Sequence, residues 1–157
     1  MLLKNSTGET SRIGYCVKHA PNNPSSFVYT TVNDTSIIGI ITQAVPKYAQ
    51  CEIATIGVTK VFVSESVVQG AIIRSQKSGD RISRGTCKAM KSTDGSYFKI
   101  GTALESGKGL ISCSLNMSYN GSTGAIANGT YTIGLGIMTD GVITIENGII
   151  TGIIEAT

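Results

Sequence analysis

The chain has 157 residues and a net charge of +3, from 13 basic and 10 acidic residues, with 15% charged and 41% hydrophobic positions. This excludes a polyelectrolyte-like disordered chain and a coiled coil, which needs charged residues in quantity, and the balance is too mild to argue for nucleic acid. Nineteen glycines, three prolines and no tryptophan, among abundant Ser, Thr, Asn, Ile and Val, suit many short strands joined by tight turns.

Met1-Leu2-Leu3 gives way at once to Lys4-Asn5-Ser6, so no signal-peptide core is visible, and no run approaches the roughly 20 apolar residues of a membrane span. A soluble chain made in a cytoplasm is expected. Residues 1–36 read as an irregular N-terminal arm, a candidate attachment segment. In it Pro21 to Ser26 is loop chemistry, and Phe27 to Val32 is either a strand or an arm laid on a neighbour.

Residues 37–117 read as a β-barrel domain. Cys51 to Ile56 alternates in part, and Val58 to Val63 and Ala71 to Ser75 read as strands. Lys77-Ser78-Gly79-Asp80 is a turn from which Arg81 to Arg84 returns, and Thr93-Asp94-Gly95-Ser96 is a second turn. Tyr97 to Gly101 and Leu110 to Leu115 complete the set. The predicted core is Ile38, Ile40, Ile53, Val61, Val63, Ile73, Ile100, Leu104, Ile111 and Leu115. Ile38-Gly39 and Ile100-Gly101 lie 62 residues apart, as do Cys51 and Cys113. Such a repeat implies two related hairpins facing each other in one small barrel.

Residues 118–129 form a Gly/Ser/Asn-rich connector. Residues 130–157 then give the clearest pattern in the chain. Thr130 to Ile137, Val142 to Glu146 and Ile149 to Glu155 read as three strands, turned at Asp140-Gly141 and Asn147-Gly148. The expected fold is therefore all-β, a small β-barrel or sandwich followed by a C-terminal three-stranded β-meander. A meander of roughly 28 residues cannot bury its apolar face alone, so Ile133, Leu135, Ile137, Ile143, Ile145, Ile149 and Ile153 are the expected self-association residues. All 13 basic residues lie at or before Lys108. The first 109 residues thus set 13 positive against seven negative charges, +6, and the rest carries only Asp140, Glu146 and Glu155, −3. That asymmetry hints at two structural parts.

Chemistry-bearing motifs are weak. Cys16, Cys51, Cys87 and Cys113 show no metal-ligand spacing and stand beside a single histidine, His19; they read as buried thiols acting as small hydrophobes. Ser96-Tyr97-Phe98-Lys99 matches Ser-x-x-Lys, but on a strand residues three apart point to opposite faces. Gly134-Leu135-Gly136 lacks the third glycine and the helix of a dinucleotide site. No catalytic residue, cofactor or metal is expected. Arg74, Lys77, Arg81, Arg84, Lys88 and Lys91 form a basic set. It reads either as a docking patch for an acidic partner or nucleic acid or as a solvated edge that deters aggregation.

Gly57 to Val63, Val67 to Ile73 and Tyr97-Phe98-Lys99-Ile100-Gly101-Thr102-Ala103-Leu104-Glu105, followed by Leu110 to Leu115, resemble the small β-barrel virion proteins of tailed bacteriophages, of the capsid-decorating and head-fibre type. Ile38 to Ile41 and the segment from Gly141 to Ile150 are similar to further strands of such proteins. The resemblance covers roughly residues 37–157 and rests on strands and glycines. It implies a structural virion protein, a homo-oligomer with a trimer favoured. The partners would be copies of itself and the major capsid protein or another virion protein, with no enzyme activity, no membrane and no nucleic acid. The alternatives are a tail-fibre or receptor-binding component and a β-fold hydrolase with a Ser/Lys pair.

Overall fold

The computed structural model describes residues 1–80, 83–94, 97–120, 129–133, 141–146 and 149–154. The fold is all-β, in two compact units, Met1–Asn120 and Gly121–Thr157. In the first unit, β1 (Leu2–Asn5), β2 (Cys16–Ala20), β3 (Asn23–Tyr29), β4 (Gly39–Ile41) and β5 (Gln50–Ala54) close a barrel in the order β1-β3-β2-β4-β5. β1 runs parallel to β3, and every other neighbouring pair in this ring is antiparallel. Leu3, Val17, Phe27, Ile41, Cys51 and Ile53 fill its interior.

The next five strands are β6 (Gly57–Val67), β7 (Ile72–Arg74), β8 (Lys88–Ala89), β9 (Tyr97–Ala103) and β10 (Gly107–Asn120), in the order β6-β10-β9-β7-β8. This sheet curls until Cys87, just before β8, meets Val63 of β6 in a parallel bridge. The Cys87 N–H donates to Phe62 O and the Ser64 N–H to Cys87 O, both at 2.9 Å.

The second ring repeats the first, strand for strand. Leu3 opposite Cys51 becomes Val61 opposite Ile111. Asn5 beside Phe27 becomes Val63 beside Cys87, both in the parallel seam of their ring. Val17, opposite both Tyr29 and Gly39, becomes Ile73, opposite both Ala89 and Gly101. Ile41 opposite Ile53 becomes Ala103 opposite Cys113. Five registers agree, and they close on themselves around the ring. The two predicted hairpins therefore do not face each other in one barrel; each occupies the same place in its own ring.

The glycines at the heart of the repeat have one physical cause. A Cβ on Gly39 would fall on the carbonyl oxygen of Ala54 and the side chain of Ile53. On Gly101 it would fall on the carbonyl oxygen of Ser114 and come within 2.9 Å of Cys113 Sγ. Ala54 and Ser114 are themselves equivalent positions, so both rings draw two strands together at the same point.

Three sequence expectations are corrected. Residues 1–36 are not an irregular arm: they supply β1, β2 and β3 of the first ring. Their alternation is hidden because polar side chains are buried there. Asn5 is fully buried and its Nδ2 donates to Glu9 O and Val45 O, while Ser11 Oγ accepts from the Val45 N–H. The barrel does not span 37–117, which instead takes two strands of one ring and most of the other. The connector does not begin at Ser118, since β10 continues through Asn120, opposite Tyr97. Of the predicted core, Leu104 is 40% exposed and Ile38 is half-buried; the other eight are buried.

In the second unit, β11 (Gly129–Ile133), β12 (Gly141–Glu146) and β13 (Ile149–Ile154) form an antiparallel sheet in that order. Register aligns Tyr131, Ile143 and Ile153 in one row, and Gly129, Ile145 and Ile150 in the next row on the same face. A register shift between Thr144 and Ile145 leaves Thr151 without an opposite number and pairs Ile149 with Glu146. Ile149 therefore occupies the other face from Ile143, Ile145 and Ile153, and Ile150 takes the place expected for it. Leu135 and Ile137 lie outside the described residues.

If Gly39 and Gly101 do the same work, Gly39→Ala and Gly101→Ala will each destabilise the chain by about 1–3 kcal/mol, the usual cost of overpacking. Urea denaturation of the two variants checks this. A neutral result at either position would break the equivalence.

Candidate functional site

Half of the expected docking patch is consumed inside the fold. Arg74, at the end of β7, is 2% exposed. Its Nε donates to Asp94 Oδ2 at 2.5 Å, its Nη1 to Asp80 Oδ2 at 2.6 Å and to Ser75 O at 2.8 Å, and its Nη2 to Asp80 Oδ1 at 3.2 Å. Lys77 Nζ lies 2.7 Å from Asp94 Oδ1, and Lys88 Nζ lies 3.5 Å from Asp80 and 3.7 Å from Glu65. The same carboxylates accept backbone N–H groups, Asp80 from Lys77 and Asp94 from Lys91, each at 2.9 Å.

One guanidinium thus ties two turns to β7. A turn needs an acceptor for its free N–H groups, and an Asp placed there by local need also faces Arg74. Of the six basic residues, Arg74, Lys77 and Lys88 are held in this network. Arg84 and Lys91 are exposed, and Arg81 lies outside the described residues. Asp94, read from the sequence as a turn residue, is also the buried acceptor.

Electrostatics follow the geometry. Burial pushes Asp94 up, but hydrogen bonds from Lys77, the Lys91 N–H and Arg74 outweigh it and hold the carboxyl at about 2. Asp80 is lowered in the same way, burial being overcome by Arg74 and the Lys77 N–H.

The stretch from Ile100 to Glu105 is likewise structural. In Ile100 to Glu105, Ile100 and Ala103 are buried and Gly101 permits the close strand contact. Glu105 Oε1 accepts from Lys60 Nζ at 2.8 Å and from the Ser112 N–H at 2.6 Å, which locks the β9–β10 turn onto β6. The Lys60 hydrogen bond is the largest cause holding Glu105 at about 2.

A concave surface forms where the rings meet. The Gly14 N–H donates to Ile41 O at 2.8 Å, and the Phe62 N–H donates to Gly14 O at 2.9 Å, so the link between β1 and β2 is clamped between β4 and β6. This sets the Tyr15 ring against Tyr29 and Phe62, with centroids 5.5 and 5.2 Å apart. Arg12 stacks over Tyr15 at 5.8 Å and pairs with Glu9 at 3.4 Å. Two adjoining hollows of about 490 and 510 Å³ share Tyr15 and Ser83; Arg12 and Arg84 line one, Lys108 the other. Tyr15 itself is buried beneath Arg12, so the hollows present cationic and hydroxyl groups at their walls, which suit a polar or anionic ligand. Sequence reasoning missed this surface because its residues come singly from five separate segments.

His19 is exposed on β2. Ser96 lies outside the described residues, and Gly134-Leu135-Gly136 does as well. Among the described residues, no three His, Cys, Asp or Glu side chains converge as metal ligands.

Breaking the buried network from one side leaves a charge without its partner. Asp94→Ala will therefore cost about 3 kcal/mol or more, whereas Lys91→Ala, whose backbone N–H survives, will stay within about 0.5 kcal/mol; urea denaturation separates them. Because the folded state holds Asp80 and Asp94 below their usual value, it binds fewer protons than the unfolded chain. Their contribution is present above the ordinary carboxylate range near 4 and is lost as pH falls toward 2. Thermal unfolding across that window will show a steep acid loss, shallower in Asp94→Ala; equal slopes would refute the assignment. Compared with family models, curated proteins and solved structures, the chain matches none.

Proposed function

We propose that the chain is a structural virion protein of a tailed bacteriophage, which decorates or cements the capsid as a symmetric oligomer. The observation that carries this reading is the meander. Its register gathers Tyr131, Ile133, Ile143, Ile145, Ile150 and Ile153 on one face. Among the described residues β11 and β13 pair only with β12. A three-stranded sheet with such a face needs a cover, and its edges need protection. A second and third copy supply both, and a trimer favours closed symmetry.

The mechanism is multivalent burial. Each copy presents the same weak contacts to a shell that is itself repetitive, so simultaneous engagement slows release without any single strong site. The two rings serve as a rigid body whose motif residues, Gly101, Ala103 and Glu105, maintain the fold. The partners are other copies of the chain and the major capsid protein or another virion protein. No cofactor, catalytic step, membrane or nucleic acid enters this reading, and the protein's place is the virion.

The hollow around Tyr15, with Arg12 and Arg84 at its wall, favours a second reading. In it the chain belongs to a tail fibre or receptor-binding assembly and touches a host glycan. Specific binding on a glycan array without capsid co-sedimentation selects that reading over the first.

Light scattering after size exclusion, over a dilution series, tests the self-association. The expected mass is about 49 kDa, three times 16.4 kDa, unchanged on dilution. Ile143→Asp with Ile145→Asp will reduce it to one protomer. A wild-type monomer at micromolar concentration, or a double variant that keeps its mass, would remove the meander from the assembly.

A further inference from the structure

Four cysteines are buried and free, and two of them meet across the rings. Cys16 opens β2 of the first ring, and Cys87 closes the second ring against β6. They are 71 residues apart in sequence, yet their sulfurs lie 3.0 Å apart, with neither residue exposed. A disulfide places its sulfurs at about 2.05 Å, so roughly 1 Å of approach separates this contact from a bond.

The backbones are already fixed on both sides. The Cys16 N–H donates to Gly85 O at 2.7 Å, and the Gly85 N–H donates to Thr30 O at 3.0 Å. Cys87 is held from both directions by Phe62 and Ser64. The other two thiols have backbone partners instead: Cys51 Sγ donates to Gln43 O at 3.4 Å, and Cys113 Sγ to Ser114 O at 3.7 Å.

We propose that Cys16 and Cys87 form a disulfide site that cross-links the two rings of one chain, with a peroxide as the oxidant. One sulfur, as thiolate, attacks a peroxide oxygen; the O–O bond breaks, hydroxide leaves and a sulfenic acid forms. The second sulfur then attacks the sulfenic sulfur. The S–S bond forms, the S–O bond breaks, and the oxygen departs as water. In sum two thiols and one hydrogen peroxide give one disulfide and two waters, two electrons passing from sulfur to oxygen. Peroxide and the sulfenic oxygen are small enough for a closed core that excludes bulkier oxidants.

The contact with Cys16, together with burial, pushes the Cys87 thiol well up, so the reaction is slow in the folded chain. A reducing cytoplasm keeps the pair as thiols, and the cross-link belongs to the chain's life outside one. The site rests on the geometry of the rings and is independent of the virion reading.

The test uses the full-length chain, fully reduced and then exposed to dilute hydrogen peroxide. Thiols titrated in denaturant should fall from the four of the sequence to two, and the intact mass should drop by about 2 Da for the two hydrogens lost. Trypsin, cutting after Arg12, Lys18, Arg84 and Lys88, should release peptides 13–18 and 85–88 as one linked species that separates on reduction. The oxidised chain should melt at a higher temperature, and Cys87→Ser should show neither link nor shift. Peptide mapping that places the bond on any other pair overturns the proposal. So do four surviving thiols both after peroxide and after refolding from denaturant in a glutathione redox buffer, where the core is open to the oxidant.

Discussion

A ring of five short strands stands only if its last edge meets its first, and in each ring here one seam is parallel. Asn5 beside Phe27 seals the first ring, and Val63 beside Cys87 seals the second. Without these contacts each sheet would end in unpaired N–H and C=O groups. The seal also sets the width of the interior. A ring this small has room for little more than one inward side chain per strand crossing. Val17, Phe27, Cys51 and Ile53 meet in one, and Ile73, Cys87, Ile111 and Cys113 in the other. Thiols fit such an interior because they are compact and apolar.

The two rings are joined by using both sides of a strand. Alternation along β2 and β4 sends Val17 and Ile41 into the first ring and turns Cys16 and Ile40 outward into the core of the second. The hydrogen bonds of Gly14 and Gly85 add backbone links across the same seam. The joint is therefore both dry and hydrogen-bonded, and this is why the Tyr15 surface and the Cys16–Cys87 contact both appear there. A site at a joint registers the relative position of its parts. Covalent closure of the thiol pair would fix that position, and the aromatic surface beside it would be fixed as well.

How much of this was legible depended on what each strand buries. β6, β9 and β10 were readable because they are long and apolar at alternate positions, as at Val61 and Val63 or Ile111 and Cys113. β1 and β2 were not, and β3 was read only as a strand or an arm from Phe27, because Asn5, Ser26 and Thr30 are buried where a pattern reader expects Leu or Val. The repeat was visible at Gly39 and Gly101, where backbone crowding leaves no other residue. It faded elsewhere because links of different length shift the offset from strand to strand; Val17 matches Ile73, 56 residues on, while Gly39 matches Gly101, 62 on. The matching cysteines were a false guide, since Cys51 corresponds structurally to Ile111. The role of the basic set was hidden for a related reason. Lysine and arginine spacing records charge but not the Asp80 and Asp94 carboxylates that turns carry to it.

The same contrast bears on function. Where the chain concentrates charge, around Arg74, it uses charge to hold turns, and a neutralised buried network offers an acidic partner little. Two surfaces bear on the proposed function. One is the ring-and-guanidinium surface at the seam, whose parts are exposed cations around a buried tyrosine. The other is the isoleucine face of the meander, specified by register alone. The first suits a small or extended ligand, and the second is the face that the proposed self-association would use. For the proposed decorating role, self-association and a rigid body come before a ligand cleft, so in that reading the meander carries more weight than the seam. The bulge at Thr151 sharpens that argument. By moving Ile149 to the face of Glu146 and bringing Ile150 opposite Ile145, it keeps one face of the sheet almost wholly apolar. A sheet meant to stay solvated on both sides gains nothing from that arrangement.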